Sequence, residues 1–352
     1  MRSTLDRDVA AAVADESRRA TDPTQLQRAV AAQVARAVPY DLWCGLTTDP
    51  RTGDPTGGFH EEGLPFEHME RLLVIEQQPD TDFGALRELV PGPTSVMTLA
   101  RATEGDLARS SRYRDVFVPS GVRHEVRAAM RGSDGLAWGA MVLMRGTDLP
   151  DFSARELALL AAVGRVVADG IRRVMALTTV GYGGAAGAPG LVLCSVGDAI
   201  TVDHVSDAAL PWLDEIEDGR LGELPVALGS LVHAAHHRAG PGVRHRVRLR
   251  TRSGGWLTAY AERLGDVSVS VILEASRPEE VRELLADAFR LTAREREVAV
   301  LAAGGLTNRE IAAQLYVSAY TVADHLKAVF AKTGARSRAE LAAGLAPGSV
   351  RA

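Results

Sequence analysis

The sequence predicts a multidomain chain, with two successive α+β parts followed by an all-α part at the C-terminus. Three observations carry this reading. A length of 352 residues exceeds what one hydrophobic core usually serves. A Gly/Ala/Pro stretch, "GYGGAAGAPG" at 181–190, interrupts the mixed helix and strand patterns that lie on either side of it. The last sixty residues carry only helical periodicity, and their charge is opposite in sign to the rest: 289–352 hold nine Lys/Arg against five Asp/Glu, whereas the chain upstream holds 31 against 40. The expected boundaries are 1–178 for the first part, 179–190 for a linker, 191–276 for the second part, 277–290 for a connecting helix and 291–352 for the helical part.

At 46% hydrophobic and 24% charged the composition is that of an ordinary soluble globular protein. The opening "MRSTLDRDVAAAVADESRRA" is charged throughout, and nowhere do 18 apolar residues run together, so a cytoplasmic chain without a membrane partner is expected. Cys44 and Cys194 each lie in a strand-like run, far apart, which excludes a disulfide framework or a structural zinc site.

Ser or Thr followed three residues later by Glu marks a helix start, because the hydroxyl caps an N–H of the first turn while the carboxylate reaches back to the cap. The device occurs at Ser153/Glu156, Ser276/Glu279, Thr292/Glu295, Thr307/Glu310 and Ser337/Glu340. In the first part helical patterns over 5–19 and 24–37 lead to a strand at 40–47. Two further strand runs, "VRHEVRAAMRG" and "LAWGAMVLMRG", precede the capped helix "FSARELALLAAVGRVVADGIRRV". The second run is almost continuously apolar, as at the centre of a sheet. A buried strand, a short Pro-Phe-Ser turn and a long helix resemble the close of a GAF domain. The resemblance implies a sensory role for 1–178 and room for a small-molecule ligand of unknown identity; no cofactor is identified.

The glycine-rich stretch is a linker rather than a dinucleotide-binding loop, because it leaves a helix and enters a strand. Beyond it come "LVLCSV", helices around "SDAALPWLDEI" and "VALGSLVHAAHHR", and three strands joined by "SGG" and "GD", which is hairpin chemistry. In size and order this part is similar to a PAS domain. Alternation places Arg244, Arg246, Arg248, Arg250 and Arg252 on one strand face. Such a stripe could hold an anion, but a solvated face or a covered interface is the plainer reading. His233, His236 and His237 have a spacing that could bind a metal, yet no carboxylate-rich or cysteine set accompanies them, so an ordinary surface or packed helix is expected and no metal site is assigned.

The C-terminal part reads as a helix capped at Thr292, a second capped at Thr307, a tight turn at Val317, a third capped at Ser318 and ended by Gly334, and a last one from Ser337. Two short helices joined by a tight turn form a helix-turn-helix. On a wheel, Val322, Leu326, Val329 and Phe330 of the third helix share one sector, with Tyr320, Asp324, Lys327, Ala328 and Ala331 opposite. That mixture of small, polar and basic side chains suits entry into the major groove of double-stranded DNA. Asn308 and Arg309 at the start of the second helix can present N–H groups to a phosphate, and Lys332, Arg336 and Arg338 are placed to grip backbone.

The motifs "LTAREREV", "GLTNREIAAQL", "SAYTVADHL" and "KTGARSR" resemble the LuxR/GerE-type helix-turn-helix of bacterial transcription regulators. The resemblance implies a tetrahelical DNA-binding domain, promoter DNA as partner, and DNA-facing positions at Thr321, Val322, Ala323, Asp324, His325 and Lys327. It also implies homodimer pairing through the final helix, where Leu341 and Leu345 stand among small residues, and makes RNA polymerase a further partner. Ala323 and Asp324 depart from the basic or apolar residues many relatives carry. A sigma-factor region is the rival in the same class, but it requires a helical polymerase-binding part upstream. An enzyme fused to a DNA module is the rival in another class, yet no G-x-S-x-G, H-E-x-x-H or P-loop pattern occurs. Ligand-free interaction modules in place of sensors remain an alternative for 1–276.

Overall fold

The computed structural model describes residues 2–50, 53–62, 64–78, 82–133, 135–178, 188–216, 219–238, 243–253, 255–277, 286, 288–333, 335, 337–339 and 341. These cluster into two compact units. The first takes in the chain up to Ile171, Ala188–Arg250 and Leu257–Glu274, so it holds both α+β parts, and the second contains the C-terminal helices. Residues 179–187 of the expected linker and most of the connecting helix lie outside the described residues.

The first lobe is built on a five-stranded sheet of β1 (Leu42–Thr48), β2 (Pro55–Glu62), β3 (Val96–Thr98), β4 (His124–Arg131) and β5 (Ala137–Arg145), in the order β2-β1-β5-β4-β3. The nearly continuous apolar run is the middle strand: every residue of β5 is buried, with Leu42 to Thr47 on one side and His124 to Arg131 on the other. Helices α1 (Arg2–Arg19), α2 (Pro23–Ala35) and α6 (Ala154–Thr178) as far as Ile171 belong to this lobe. Gln27 of α2 reaches the sheet, its amide donating to the Leu46 carbonyl at 2.8 Å. Helix α6 starts at the expected cap, where the Ser153 N–H donates to Glu156 at 2.7 Å. Arg145 at the end of β5 binds the same carboxylate at 2.6 Å, and together these hold Glu156 below the usual carboxylate range although burial alone would raise it. Further helices are α3 (Phe66–Gln77), α4 (Leu86–Leu89) and α5 (Leu99–Ala102). Met69 and Leu73 of α3 share a core with Cys44, Phe117, Val142 and Met144.

The second lobe repeats the sheet order. Its strands are β6 (Gly190–Val196), β7 (Ile200–Val205), β10 (Arg244–Arg250), β11 (Trp256–Arg263) and β12 (Ser268–Ala275), arranged β10-β11-β12-β6-β7. Numbered from each lobe's own first large strand, both sheets read 2-1-5-4-3. Two short strands, β8 (Arg220–Leu221) and β9 (Leu224–Pro225), and helix α7 (Leu210–Glu215) connect β7 to helix α8 (Val226–His237). Every residue of α8 from Val226 to Ala235 is buried. A helix apolar on all sides must be covered on all sides, and α8 meets this by packing against β10 and β6 of its own sheet and against α3 of the first lobe.

Candidate nucleic-acid interface

In the second unit three helices follow one another: α9 (Ala293–Ala303), α10 (Asn308–Leu315) and α11 (Ala319–Thr333). Both of the first two begin with complete capping boxes. The Thr292 N–H donates to Glu295 at 2.7 Å while Thr292 accepts from the Glu295 N–H, and Thr307 with Glu310 repeats the arrangement. The Ser276/Glu279 and Ser337/Glu340 signals each have their Glu outside the described residues. Helix α10 ends at Tyr316, whose backbone is left-handed (φ 56°, ψ 43°), and the Val317 N–H closes back on the Ala312 carbonyl at 3.0 Å. Ser318 then caps α11, its hydroxyl oxygen accepting from the Thr321 N–H at 3.0 Å. Val298, Ile311, Val322, Leu326 and Val329 form the buried interior of this unit.

The wheel therefore holds for α11, and it decides one conflict within the sequence reading. Val322 is 0% exposed and belongs to the core, so it cannot be the DNA-facing residue that family resemblance implied. Tyr320, Ala323, Asp324 and Lys327 are exposed, with Thr321 and His325 half-buried. Among the described residues no ion pair joins Asp324 to Lys327 or His325. Arg309 and Ser318 are exposed as well.

Two residues expected to grip the phosphate backbone are engaged elsewhere. The Lys332 ammonium donates to Glu295 at 2.5 Å and to the Arg290 carbonyl at 3.1 Å. Arg338 donates to the Leu306 carbonyl and to the Asn308 side chain. Lys332 and Arg338 thus fasten helix ends to one another, Arg338 engaging the side-chain oxygen of Asn308 but not its backbone N–H; Arg336 lies outside the described residues. Leu341 is 1% exposed, which makes it interior rather than a surface for a second copy, and Leu345 lies outside the described residues. Sequence reasoning missed Tyr316, whose side chain is 95% exposed beside the cap of α11. A large aromatic at a turn where glycine would fit was the available signal.

Residues 290–344 match the family "Bacterial regulatory proteins, luxR family". The luxR-family segment coincides with the capped helices just described and supports a DNA-binding transcription regulator. Comparison with curated proteins finds no match for the chain. No helix among the described residues is long and apolar enough to cross a membrane.

In the first unit a cavity of about 90 Å³ lies between the first sheet, α3 and α8. Cys44, Leu73, Phe117 and Met144 line it from one lobe, Val226 and Ser230 from the other. Beside it runs a buried ionic network: Arg112 binds Asp82 at 2.6 Å and Glu125 at 2.9 Å, while Arg127 binds Glu76 at 2.6 Å and Glu125 at 2.9 Å. Burial alone would raise Glu76, but Arg127 and Arg112 hold it below the usual carboxylate range.

The arginine stripe divides: Arg248 and Arg250, at the end of β10, are covered by the first lobe, whereas Arg244, Arg246 and Arg252 are exposed. Arg248 is buried against Asp49 and Arg250 lies 3.3 Å from Asp22, both carboxylates belonging to the first lobe, whereas Arg244 faces Glu262 at 3.5 Å. Gln77 of the first lobe donates to Ser230 of the second at 2.8 Å. His233 is fully buried, and burial with His237 and His236 nearby lowers its pKa to about 4. Among the described residues no three His, Cys, Asp or Glu side chains come together to hold a metal ion.

Proposed function

We propose that the chain is a one-component, cytoplasmic transcription regulator that binds promoter DNA as a homodimer and acts on RNA polymerase under the control of its two α+β lobes. The observation that carries this is the luxR-family match over helices whose third member buries Val322, Leu326 and Val329 and leaves Tyr320, Ala323, Asp324 and Lys327 open. That surface has the size and polarity of a major-groove reader. The exposed cation at Arg309 lies on the helix before it and suits phosphate contact.

The shared 2-1-5-4-3 order of the two sheets supports the GAF-like and PAS-like reading of the lobes. The cavity in the first unit supports small-molecule sensing over a purely protein-interacting role, and its apolar lining suits a small, mainly apolar ligand. Pairing of two copies is assigned to the segment from Ser337, through the exposed Ser337 and Ala339 rather than the buried Leu341, with Leu345 retained as the sequence alone expects it. The test is selection of duplexes from a random pool by the full chain, followed by footprinting. Two symmetric half-sites protected at low salt are expected. Failure to enrich any duplex at low salt overturns the proposal.

A further inference from the structure

We propose that Tyr316 is a DNA-backbone contact, its hydroxyl donating to a phosphate beside the groove entered by α11. The inference rests on the DNA-binding reading above. Tyr316 closes α10 in the left-handed region, with φ 56° and ψ 43°. Glycine or asparagine adopts that conformation readily, whereas a bulky side chain is strained there. Packing does not compensate, because the side chain is 95% exposed. Among the described residues its hydroxyl has no hydrogen-bond partner. Neither the backbone nor the core of this unit therefore accounts for a tyrosine at this position.

Its surroundings indicate the partner. Tyr316 precedes the cap Ser318 by two residues, and Tyr320, 77% exposed, follows that cap by two. Two phenolic groups thus flank the start of the helix whose open side carries Ala323, Asp324 and Lys327. These tyrosines are the exposed large hydrophobics of the second unit's described residues, with no exposed aliphatic beside them. A protein-docking surface of the usual kind has an apolar centre that this patch lacks. With Arg309 and Lys327 exposed beside the carboxylates of Glu310 and Asp324, the surface is polar rather than apolar, and tyrosine hydroxyls are ordinary donors to phosphate oxygens. A neutral donor adds affinity without releasing a counterion and without reading sequence.

The test uses the full chain with Tyr316→Asn, which relieves the strained backbone and removes the ring, and Tyr316→Phe, which removes the hydroxyl alone. Affinity is measured for a duplex enriched from a random pool by the parent chain and for a scrambled duplex, over a salt series. Both variants should bind both duplexes about tenfold more weakly. The slope of log affinity against log salt should stay as in the parent, and the melting temperature of Tyr316→Asn should not fall. Parent-like affinity in Tyr316→Asn refutes the contact. Loss confined to the enriched duplex makes Tyr316 a base reader and also overturns the proposal. Unchanged affinity for a half-site with reduced self-association in sedimentation would assign the ring to a second copy instead. A parent chain that binds neither duplex removes the DNA-binding reading itself, which is a separate outcome.

Discussion

Replacing Lys332 by Met separates two roles that one lysine at the end of α11 could play. The ammonium sits 2.5 Å from Glu295, whose side chain is 8% exposed, while the lysine itself is 35% exposed. Removing one partner of a fully buried pair costs about 3–5 kcal/mol, because the other charge is left uncompensated. Here water reaches the lysine side, and Glu295 keeps the Thr292 N–H, so the expected loss falls to about 1–2 kcal/mol. In a helical unit of this size that lowers the melting temperature by roughly 5–15 °C. The pH dependence has a definite sign. Burial alone would raise Glu295, but Lys332 and the Thr292 N–H hold it below its ordinary value of 4.5. A carboxylate depressed by folding stabilises the fold above its unfolded pKa and loses that contribution as pH falls through the folded one. The gap between parent and Lys332→Met, measured by calorimetry, should therefore be full at neutral pH and close below about pH 4.5. DNA binding gives the counter-test: a phosphate-gripping lysine would lower the salt slope by about 0.9 on removal. An unchanged melting temperature together with such a drop in slope would refute the fastening role.

Three further outcomes follow from other contacts. Asp324→Ala should relax preference at one base position by about 1–3 kcal/mol and raise non-specific affinity, since the carboxylate is exposed and has no ion-pair partner among the described residues; a binding-site selection returning the parental sequence would remove Asp324 from the readout. Arg112→Met leaves Asp82 and Glu125 buried without their shared guanidinium and should cost about 3–5 kcal/mol in denaturant unfolding; a loss below about 1 kcal/mol would mean the network is solvated. Asp49→Ala and Arg248→Ala should each destabilise the first unit by a similar amount, and the double variant by less than the sum; strict additivity would show that the two side chains do not interact.

The parts of the structure that depend on neighbours in sequence were legible. Thr292/Glu295 and Thr307/Glu310 are local devices, and the wheel over 319–333 needs only the helical period to separate Val322 and Leu326 from Asp324 and Lys327. The middle strand of the first sheet was legible for a similar reason, because an unbroken apolar run has to be buried on both faces. What depends on distant partners was not. Arg248 reads as one member of a solvated alternation until Asp49, 199 residues earlier, is brought against it. Lys332 and Arg338 look like free cations at a basic terminus, and only tertiary structure sets them on Glu295, Leu306 and Asn308. Carrying family positions across as a block failed at Val322 because such a block ignores which side of the helix each residue takes.

Helix α8 bears on how such a chain can be taken apart or recombined. Along the sequence the two α+β parts look like beads on a string, to be cut at the glycine-rich stretch and exchanged one at a time. Yet Val226 and Ser230 line a cavity whose opposite wall belongs to residues upstream of that cut, and Gln77 donates across it. A fragment spanning only 191–276 would carry a helix with one side stripped of its cover, an adhesive surface made by the excision itself. Shuffling by recombination would meet the same penalty unless both halves travelled together. Breakpoints between these lobes should therefore be rarer among viable chimaeras than breakpoints ahead of the DNA-binding helices.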